Sequence, residues 1–290
     1  MTTLLCLGLG YCAQRFVALH GARFSRILGT NRSGEPFAGI EVLRFTGEAS
    51  DDLIAAVHAA DVILASAAPG EAGDPFLGPL GAAISGESGK GPLVYLSTIG
   101  VYGDTGGAWI DETALPTSNA PRGRQRVAAE QAWQALGRAS GRPVAVLRLG
   151  GIYGPGRNAL VDVADGTARC VERAGQVFNR IHVDDIAAAI AAAVSTGFDG
   201  VVNVVDDEPS PSCAPVRFAA GLLGRPAPEA VPFEEAATRM SPMALSFWAD
   251  NRRVRNTRLH GLLGAPLRHP TYREGLAALF AAGEGAPAPP

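Results

Sequence analysis

Three small residues near the start of the chain have the types and spacing of a phosphate-binding turn. Gly8, Gly10 and Ala13 form a GxGxxA pattern directly after a short apolar run. Glycine permits a tight turn and a close approach of phosphate oxygens to the backbone, and a small third residue lets a helix lie on the preceding strand. This pattern predicts anion binding, whereas the alternative is an ordinary turn whose glycines serve only its geometry.

A strand and a helix must hold this turn in place. Thr3–Leu7 is too short for a buried helix and is typical of a central parallel strand. A helix is predicted from Tyr11 to about His20, so the first backbone N–H groups, those of Tyr11 and Cys12, point at the anion together with the helix dipole. The sequence therefore predicts a strand–turn–helix cradle for a dinucleotide.

The end of the second predicted strand indicates which dinucleotide is bound. NAD-binding units place a carboxylate about 20 residues after the glycines, where it binds the ribose hydroxyls. No carboxylate occurs here before Glu35, and Arg32 stands in its place between Asn31 and Ser33. Guanidinium, amide and hydroxyl groups suit a 2′-phosphate, so we predict NADP rather than NAD. The alternative is a solvated loop arginine.

Strands and helices alternate over about the first 150 residues, which predicts an α/β fold with a doubly wound parallel sheet. The small segment Ala65–Gly70 is turn-rich, so Ala65 and Ala67 are expected to lie against the cofactor. A helix beginning at Asp184, which caps it, is also predicted. The further predicted strands are Phe24–Gly29, Ile40–Phe45, Asp61–Ala65, Leu93–Leu96, Val144–Leu149 and Val201–Val205, and the further helices are Asp51–His58, Arg122–Gly137, Asn158–Ala174, Asp184–Ser195 and Thr271–Ala281.

Composition limits the class of protein. Hydrophobic residues make up 47%, charged residues 18%, and the net charge is −3 without any basic block. These values predict a sizeable core and neither a nucleic-acid nor a membrane partner. No signal peptide and no apolar run of about 18 residues is found, so a cytoplasmic location is expected. The cysteines Cys6, Cys12, Cys170 and Cys213 lack metal-ligand spacing, which predicts reduced structural thiols and no metal site.

Five segments, in order, resemble the atypical and extended short-chain dehydrogenase/reductase family, whose best-known members are NAD-dependent epimerases and dehydratases of nucleotide sugars. They lie at residues 7–13, 95–103, 148–158, 180–187 and 201–210. The resemblance implies a seven-stranded Rossmann domain for NAD(P) and a smaller C-terminal α/β substrate lobe. We expect residues 1–157 plus about 176–206 in the Rossmann domain, about 158–175 plus 207–282 in the lobe, and 283–290 as a frayed tail.

The resemblance also assigns the candidate catalytic positions. Thr98 falls at the position of the family's catalytic Ser/Thr, but the Tyr-x-x-x-Lys pair is replaced by Arg122 and Arg126. A guanidinium is a poor proton donor and a good anion ligand. Arg126 is therefore expected to bond the cofactor ribose, and Arg122 to bind an anion. Tyr102, Tyr153 or water remain as proton donors, with packing as the alternative role of both tyrosines.

Two functions from different classes remain open. The first is an NADP-dependent oxidoreductase or epimerase-like enzyme acting on an anionic small molecule, such as a nucleotide sugar. The second is a non-catalytic sensor or regulatory protein that binds NADP(H). Thr98 and Arg126 support the first, and the missing tyrosine supports the second. Asn158 and Arg180 are expected to reach the substrate from the lobe.

A homodimer is expected on weaker grounds. Members of the family pair through the helix here predicted at Arg122–Gly137. Trp133 and Leu136 on that helix offer apolar surface beyond the needs of one sheet face. The alternative is a monomer whose helix packs only on its own sheet.

Overall fold

The computed structural model describes residues 2–86 and 91–285. Strands and helices alternate along both ranges. The strands are β1 (Thr3–Leu7), β2 (Arg26–Asn31), β3 (Glu41–Arg44), β4 (Val62–Ala65), β5 (Leu93–Thr98), β6 (Trp109–Ile110), β7 (Val144–Leu149), β8 (Gly151–Tyr153), β9 (Cys170–Glu172), β10 (Arg180–His182), β11 (Gly200–Val204), β12 (Ala230–Pro232) and β13 (Arg253–Val254).

The helices connect these strands. They are α1 (Tyr11–His20), α2 (Asp51–Ala59), α3 (Leu77–Ser85), α4 (Pro121–Ser140), α5 (Ala159–Ala164), α6 (Val183–Thr196), α7 (Cys213–Leu222), α8 (Phe233–Ala237), α9 (Pro242–Trp248), α10 (Thr257–Leu263) and α11 (Tyr272–Ala281). Among the described residues, no helix combines the length and the apolar character needed to cross a membrane.

Seven strands form one sheet in the order β11-β7-β5-β4-β1-β2-β3, and every neighbouring pair is parallel. Leu5 lies beside Leu28 on one side and Ile63 on the other. The strand order reverses between β1 and β4, where ligands of open parallel sheets bind beyond the carboxyl ends of the strands. The predicted doubly wound fold is therefore confirmed.

The two faces of the sheet carry separate hydrophobic cores. Phe16 of α1 and Ile186 of α6 belong to the core on one face, and Leu53 of α2 and Trp133 of α4 belong to the core on the other. The central strands β1, β4 and β7 are buried throughout. Burial on both faces explains why these strands read as continuous apolar runs.

A smaller lobe is built from two separate stretches of chain. Helices α5, α7 and α11 share a core that includes Leu160, Ala219 and Leu276. Strand β9 pairs with β12, and β10 pairs with β8 near the sheet. The pieces of this lobe lie on both sides of β11 in the sequence.

Several sequence predictions are wrong in detail. The helix predicted over residues 158–174 ends at Ala164, because Gly166 adopts a φ of +70° and the chain then forms β9. Helix α6 begins one residue early, with His182 rather than Asp184 as its cap, because the ring Nδ1 accepts a hydrogen bond from the Asp184 N–H at 3.1 Å.

The cysteine prediction is also partly wrong. Cys170 of β9 and Cys213 of α7 are joined by a disulfide, whereas Cys6 and Cys12 are free and buried, as predicted. The partners are 43 residues apart in the sequence, with Cα atoms 4.6 Å apart. Their pairing depends on how the two stretches of the lobe fold together, which residue spacing does not reveal.

Two further corrections concern α4 and the end of the chain. Trp133 is buried in its own subunit and its indole N–H donates to Asp74 at 2.9 Å, so it offers no apolar surface for a dimer. Glu284 lies within the expected frayed tail, yet its carboxylate accepts hydrogen bonds from Gly156 and Asn158. Residues 286–290 of that tail lie outside the described residues.

Candidate cofactor and substrate site

The glycine turn between β1 and α1 has the geometry of a phosphate cradle. Gly8 has a φ of +90°, and a Cβ there would lie 3.2 Å from the backbone nitrogen of Ala67. The Gly8 N–H donates to the Thr30 hydroxyl at 2.8 Å, and Ser66 donates to the Gly8 carbonyl oxygen. The turn is therefore fixed from both neighbouring strands, and glycine is required at its first position.

The space above the second glycine is open. A Cβ on Gly10 would meet no atom within 4 Å, and Gly10 precedes α1 without offering a side-chain cap. The first N–H groups of α1, beginning at Tyr11 and Cys12, therefore point toward free space. These features fit a pyrophosphate group held by backbone N–H groups.

The side chains at the start of α1 face away from that space. The Tyr11 hydroxyl donates to the Pro155 carbonyl oxygen at 3.0 Å, Cys12 is buried, and Ala13 is fully buried in the core on this face of the sheet. The predicted role of Ala13, close packing of helix on sheet, agrees with this burial. Tyr11 and Cys12 offer only their backbone to a cofactor, because their side chains are used in packing.

A cavity of about 440 Å³ lies beside the turn at the ends of β2 and β4. It is lined by Gly8, Asn31, Arg32 and Ala67, among others, and no carboxylate is found among its described lining residues. Ala65, by contrast, is buried within β4 and does not line it.

The loop after β2 is organised around Asn31. Its side-chain oxygen accepts hydrogen bonds from the Gly34 N–H at 2.5 Å and from the Ser33 hydroxyl at 3.2 Å. The Asn31 NH₂ group donates to the Glu35 carbonyl oxygen at 3.0 Å. One amide N–H of Asn31 and the Ser33 hydroxyl hydrogen, both donors expected to bind a 2′-phosphate, are therefore used within the loop. Arg32 keeps an exposed side chain with no hydrogen-bond or ion-pair partner in the part of the chain described. It is the one predicted 2′-phosphate ligand whose side chain remains available.

A second cavity, of about 580 Å³, lies beyond β5 and β7 and reaches the smaller lobe. Thr98 and Arg122 both line it. Thr98 ends β5, and its oxygen accepts a hydrogen bond from the Gly100 N–H at 3.1 Å. The hydroxyl hydrogen has no acceptor among the residues described, so it is available to a ligand.

Arg122 lies in the first turn of α4 with an exposed side chain at this cavity. No hydrogen-bond or ion-pair partner for it occurs within residues 2–86 and 91–285. Its neighbour Gly123 is required by packing, because a Cβ there would lie 2.0 Å from the hydroxyl oxygen of Ser118. Arg122 thus lines the cavity with an exposed side chain, and its binding of an anion stays a prediction.

Arg126 is held against the sheet. Its guanidinium donates to the Leu96 carbonyl oxygen at 2.8 Å and to the Tyr95 hydroxyl at 3.3 Å. Both bonds use one terminal nitrogen, Nη1, which leaves other N–H groups of the fork for a ribose. The expected contact with the cofactor stays a prediction.

The two tyrosines considered as proton donors are tied to the protein. The Tyr102 ring is 1% exposed, and its hydroxyl donates to the Asn203 side chain at 2.7 Å, outside the cavity. Tyr153 borders the cavity, but its hydroxyl donates to the Thr271 carbonyl oxygen at 3.2 Å. Burial raises the pKa of both phenols. These placements contradict a proton-donating role and support the packing alternative.

Asn158 is likewise structural. Its side-chain oxygen caps α5 by accepting from the Leu160 and Val161 N–H groups, and its NH₂ group donates to the Gly154 carbonyl oxygen. Arg180 does line the second cavity, the larger of the two and called the large cavity below. Its guanidinium is bonded to the Phe178 carbonyl oxygen and to Ser210, and burial lowers its pKa.

Two side-chain clusters have atoms close enough to consider a metal. The first is Cys170, Glu172 and Cys213, whose sulfurs are bonded to each other. The second is His182, Asp184 and His269. Arg15 binds the Asp184 carboxylate at 2.6 Å, so a cation already occupies the only anionic ligand of this second cluster.

A buried ionic network that was not predicted from the sequence joins strands β5 and β7 to helix α4. Arg148 of β7 binds Glu130 of α4, with the nearest N···O distance 2.7 Å, and Ser97 donates to the same carboxylate. The Arg148 guanidinium also lies 4.7 Å from the centre of the Tyr102 ring. A lone charged residue in an apolar strand was the available signal, since a buried charge needs a partner.

Comparisons with known proteins relate part of the chain to a known family. Residues 80–205 match the model of the NAD-dependent epimerase/dehydratase family. A 3-diazoavenalumate denitrifying reductase from Streptomyces sp. is 33% identical over 137 residues, which are 45% of this chain and 45% of the relative. The match thus spans less than half the length of that relative.

Solved structures cover the whole fold. A functionally unknown conserved protein from Silicibacter pomeroyi DSS is 43% identical over 98% of this chain and 100% of its own, with a TM-score of 0.85. A dTDP-glucose 4,6-dehydratase from Bacillus anthracis str. Ames in complex with NAD covers 99% of this chain and 97% of its own, with 18% identity and a TM-score of 0.75. The second likeness concerns the fold alone.

Proposed function

We propose that this chain is an NADP(H)-dependent reductase acting on an anionic small molecule, because residues 80–205 match the model of the NAD-dependent epimerase/dehydratase family. One observation carries the proposal. Thr98 and Arg122 line a single cavity, at the positions where the family has its catalytic Ser/Thr and its catalytic Tyr. Thr98 has an available hydroxyl hydrogen, and Arg122 has a guanidinium without a partner among the described residues.

The cofactor assignment is supported by the open space above Gly10 and by Arg32 in a cavity without a lining carboxylate. NADPH, when bound, would supply a hydride. The Arg32 guanidinium would bind the 2′-phosphate by charge-assisted hydrogen bonds. Backbone N–H groups at the start of α1 would bind the pyrophosphate.

The substrate side is supported by charge. Arg122 would fix the anionic group of the substrate at the mouth of the cavity, and the Thr98 hydroxyl would donate to a substrate oxygen or nitrogen. Since a guanidinium is a poor proton donor, any proton would come from water. Reduction is favoured over epimerisation because the Streptomyces relative is named as a reductase.

The test is a pair of measurements on purified protein. NADPH binding is measured by calorimetry, and NADPH oxidation at 340 nm is followed with fractionated pools of small metabolic acids. We expect binding, and oxidation with at least one acidic fraction. Arg122→Ala should weaken binding of that acid by about 2 kcal/mol and leave NADPH affinity unchanged. Arg124→Ala is the matched control, because Arg124 is exposed and bonds only the Asn119 carbonyl oxygen.

A second candidate, a non-catalytic NADP(H) sensor, is favoured by the missing tyrosine. NADPH binding without oxidation by any fraction would support it. If the natural protein has no activity and the Arg122→Tyr variant has reductase activity, the chain is a former enzyme.

A further inference from the structure

The large cavity has an aromatic wall on the side of the smaller lobe. Phe178 and Trp248 line it and pack edge to face, with ring centres 5.0 Å apart. Phe233, which is not among the lining residues, stacks on Trp248 with ring centres 5.1 Å apart. The Arg173 guanidinium lies 4.8 Å from the centre of the Phe233 ring. The ring of Trp248 is thereby held in a fixed orientation.

Phe247 extends this wall to the mouth of the cavity. It precedes Trp248 at the end of α9, lines the cavity, and keeps 64% of its surface exposed. A large exposed aromatic ring next to a cavity is unusual for a side chain that serves only folding, because its burial would contribute about 1.5–3 kcal/mol. Its ring is available to a ligand.

Most polar side chains of the same cavity are used by the protein itself. The Asn179 amide donates to the Arg252 carbonyl oxygen and accepts from the Val254 N–H. Arg252 in turn donates to the carbonyl oxygens of Gly103 and Ile99. The Ser212 hydroxyl donates to the Val171 carbonyl oxygen. Few free donors and acceptors remain for a ligand with many hydroxyl groups.

The cavity therefore combines available aromatic faces with the guanidinium of Arg122, which has no partner in the described ranges of the chain. We propose that its substrate is a planar aromatic acid, with the ring against Phe178, Phe247 and Trp248 and the acid group at Arg122. The proposal rests on the reductase function above. It names a planar aromatic acid in place of the nucleotide sugar that was considered from the sequence. A cavity of about 580 Å³ lies within the range that holds such ligands.

The test uses four probes, titrated by calorimetry into protein saturated with NADP⁺. The first, 2-naphthoate, is planar and anionic; decalin-2-carboxylate has the same size and charge without planarity; 2-naphthamide is planar and neutral; UDP-glucose is a nucleotide sugar. We expect the dissociation constant of 2-naphthoate to be at least tenfold lower than those of the other three. Tighter binding of UDP-glucose, or equal binding of 2-naphthoate and decalin-2-carboxylate, would overturn the proposal.

Variants locate the two ends of the site. Phe247→Ala and Arg122→Gln should each weaken 2-naphthoate binding at least fivefold. Phe280→Ala, on the exposed face of α11, and Arg124→Gln should leave it unchanged. Naphthoate affinity that none of the four variants alters would contradict binding at this site.

Separate readouts distinguish this proposal from the reductase function. NADPH is titrated into the protein in the absence of any acid to measure its affinity. NADPH oxidation is then followed with aromatic and with non-aromatic acids. Selective naphthoate binding without oxidation of NADPH by any acid upholds the aromatic-acid site and contradicts the reductase. Oxidation driven only by non-aromatic acids upholds the reductase and contradicts the aromatic-acid site.

Discussion

Arg148 and Glu130 form a buried ion pair in which the guanidinium Nε and Nη2 atoms both bind the carboxylate, at distances from 2.7 to 3.2 Å. The two side chains are 6% and 4% exposed. The pair joins the central strand β7 to helix α4, the helix whose first turn carries Arg122. It therefore links the sheet to the helix that lines the second cavity.

Glu130→Ala should destabilise the protein by about 3–5 kcal/mol, because it leaves the Arg148 cation buried without its partner. The measurement is urea unfolding followed by fluorescence. Glu41→Ala is the control, since it breaks an Arg26–Glu41 pair whose side chains are both 53% exposed and should cost less than about 1 kcal/mol. Similar losses for the two variants would show that burial of the pair does not matter.

Arg32→Asp should reverse the cofactor preference from NADPH to NADH. An arginine–phosphate contact contributes about 1.5–3 kcal/mol, which is roughly a ten- to hundredfold change in affinity, and an aspartate repels the 2′-phosphate. Calorimetric titration with both cofactors measures the change. Arg23→Asp, which alters an exposed arginine after α1 outside the cofactor cavity, should keep the natural preference. Equal affinities of the natural protein for NADPH and NADH would contradict the role of Arg32.

The buried carboxyl of Asp206 should make the stability of the protein fall as pH rises from about 6.5 to about 8. Below about pH 6.5 the titration of His182 opposes this effect. Asp206 is 1% exposed, its Oδ2 has no partner among the described residues, and burial raises its pKa to about 8. In the unfolded chain it ionises near pH 4. Between these values the folded state binds the extra proton, so the free energy of unfolding decreases by up to about 1.4 kcal/mol for each pH unit.

His182 acts in the opposite direction at lower pH. Burial lowers its pKa to about 4, so from pH 6.5 down to 4 the unfolded state binds the extra proton and stability is lost as pH falls. Asp206→Asn should therefore abolish the decline between pH 6.5 and 8 and leave a steeper rise between 4 and 6.5. Urea unfolding at several pH values tests this, with the exposed Glu229→Gln as control. An unchanged profile in Asp206→Asn would show that Asp206 is ionised in the folded protein.

Loss of the Cys170–Cys213 disulfide should lower the free energy of unfolding by up to about 4 kcal/mol, the loop-closure value for a link across 43 residues. Cys213→Ser and unfolding with and without reductant measure the effect, and Cys12→Ser, at a free buried cysteine, serves for comparison. Thiol titration of the denatured natural protein without reductant should find two free thiols. Four would disprove the disulfide.

Local patterns in the sequence were sufficient for much of the fold. Thr3–Leu7 and Val144–Leu149 were predicted with their observed bounds, because a strand buried on both faces is a continuous apolar run. The family resemblance assigned Thr98 and Arg122 to catalytic positions, and both residues line one cavity. The candidate cofactor cradle was likewise contained in a dozen consecutive residues.

Pairings between distant residues could not be predicted in this way. Trp133 looked like exposed apolar surface because nothing near it in sequence indicates that Asp74 accepts its N–H. The aromatic wall brings Phe178 to Trp248 across 70 positions, and the order of helices and strands does not specify that contact. The same holds for Tyr153, whose hydroxyl direction depends on Thr271, the N-cap residue of α11.

The two-part construction of the smaller lobe limits how specificity can be transferred between relatives. Leu160 of α5 and Ala219 of α7 share one core, and β9 pairs with β12, yet β11 separates these pieces in the chain. A chimera that exchanges only residues 158–175 would place a foreign α5 against the original α7. The lobe is thus not a continuous, exchangeable segment. A chimera must exchange the stretch before β11 and the stretch after it together, so that the cavity wall can fold.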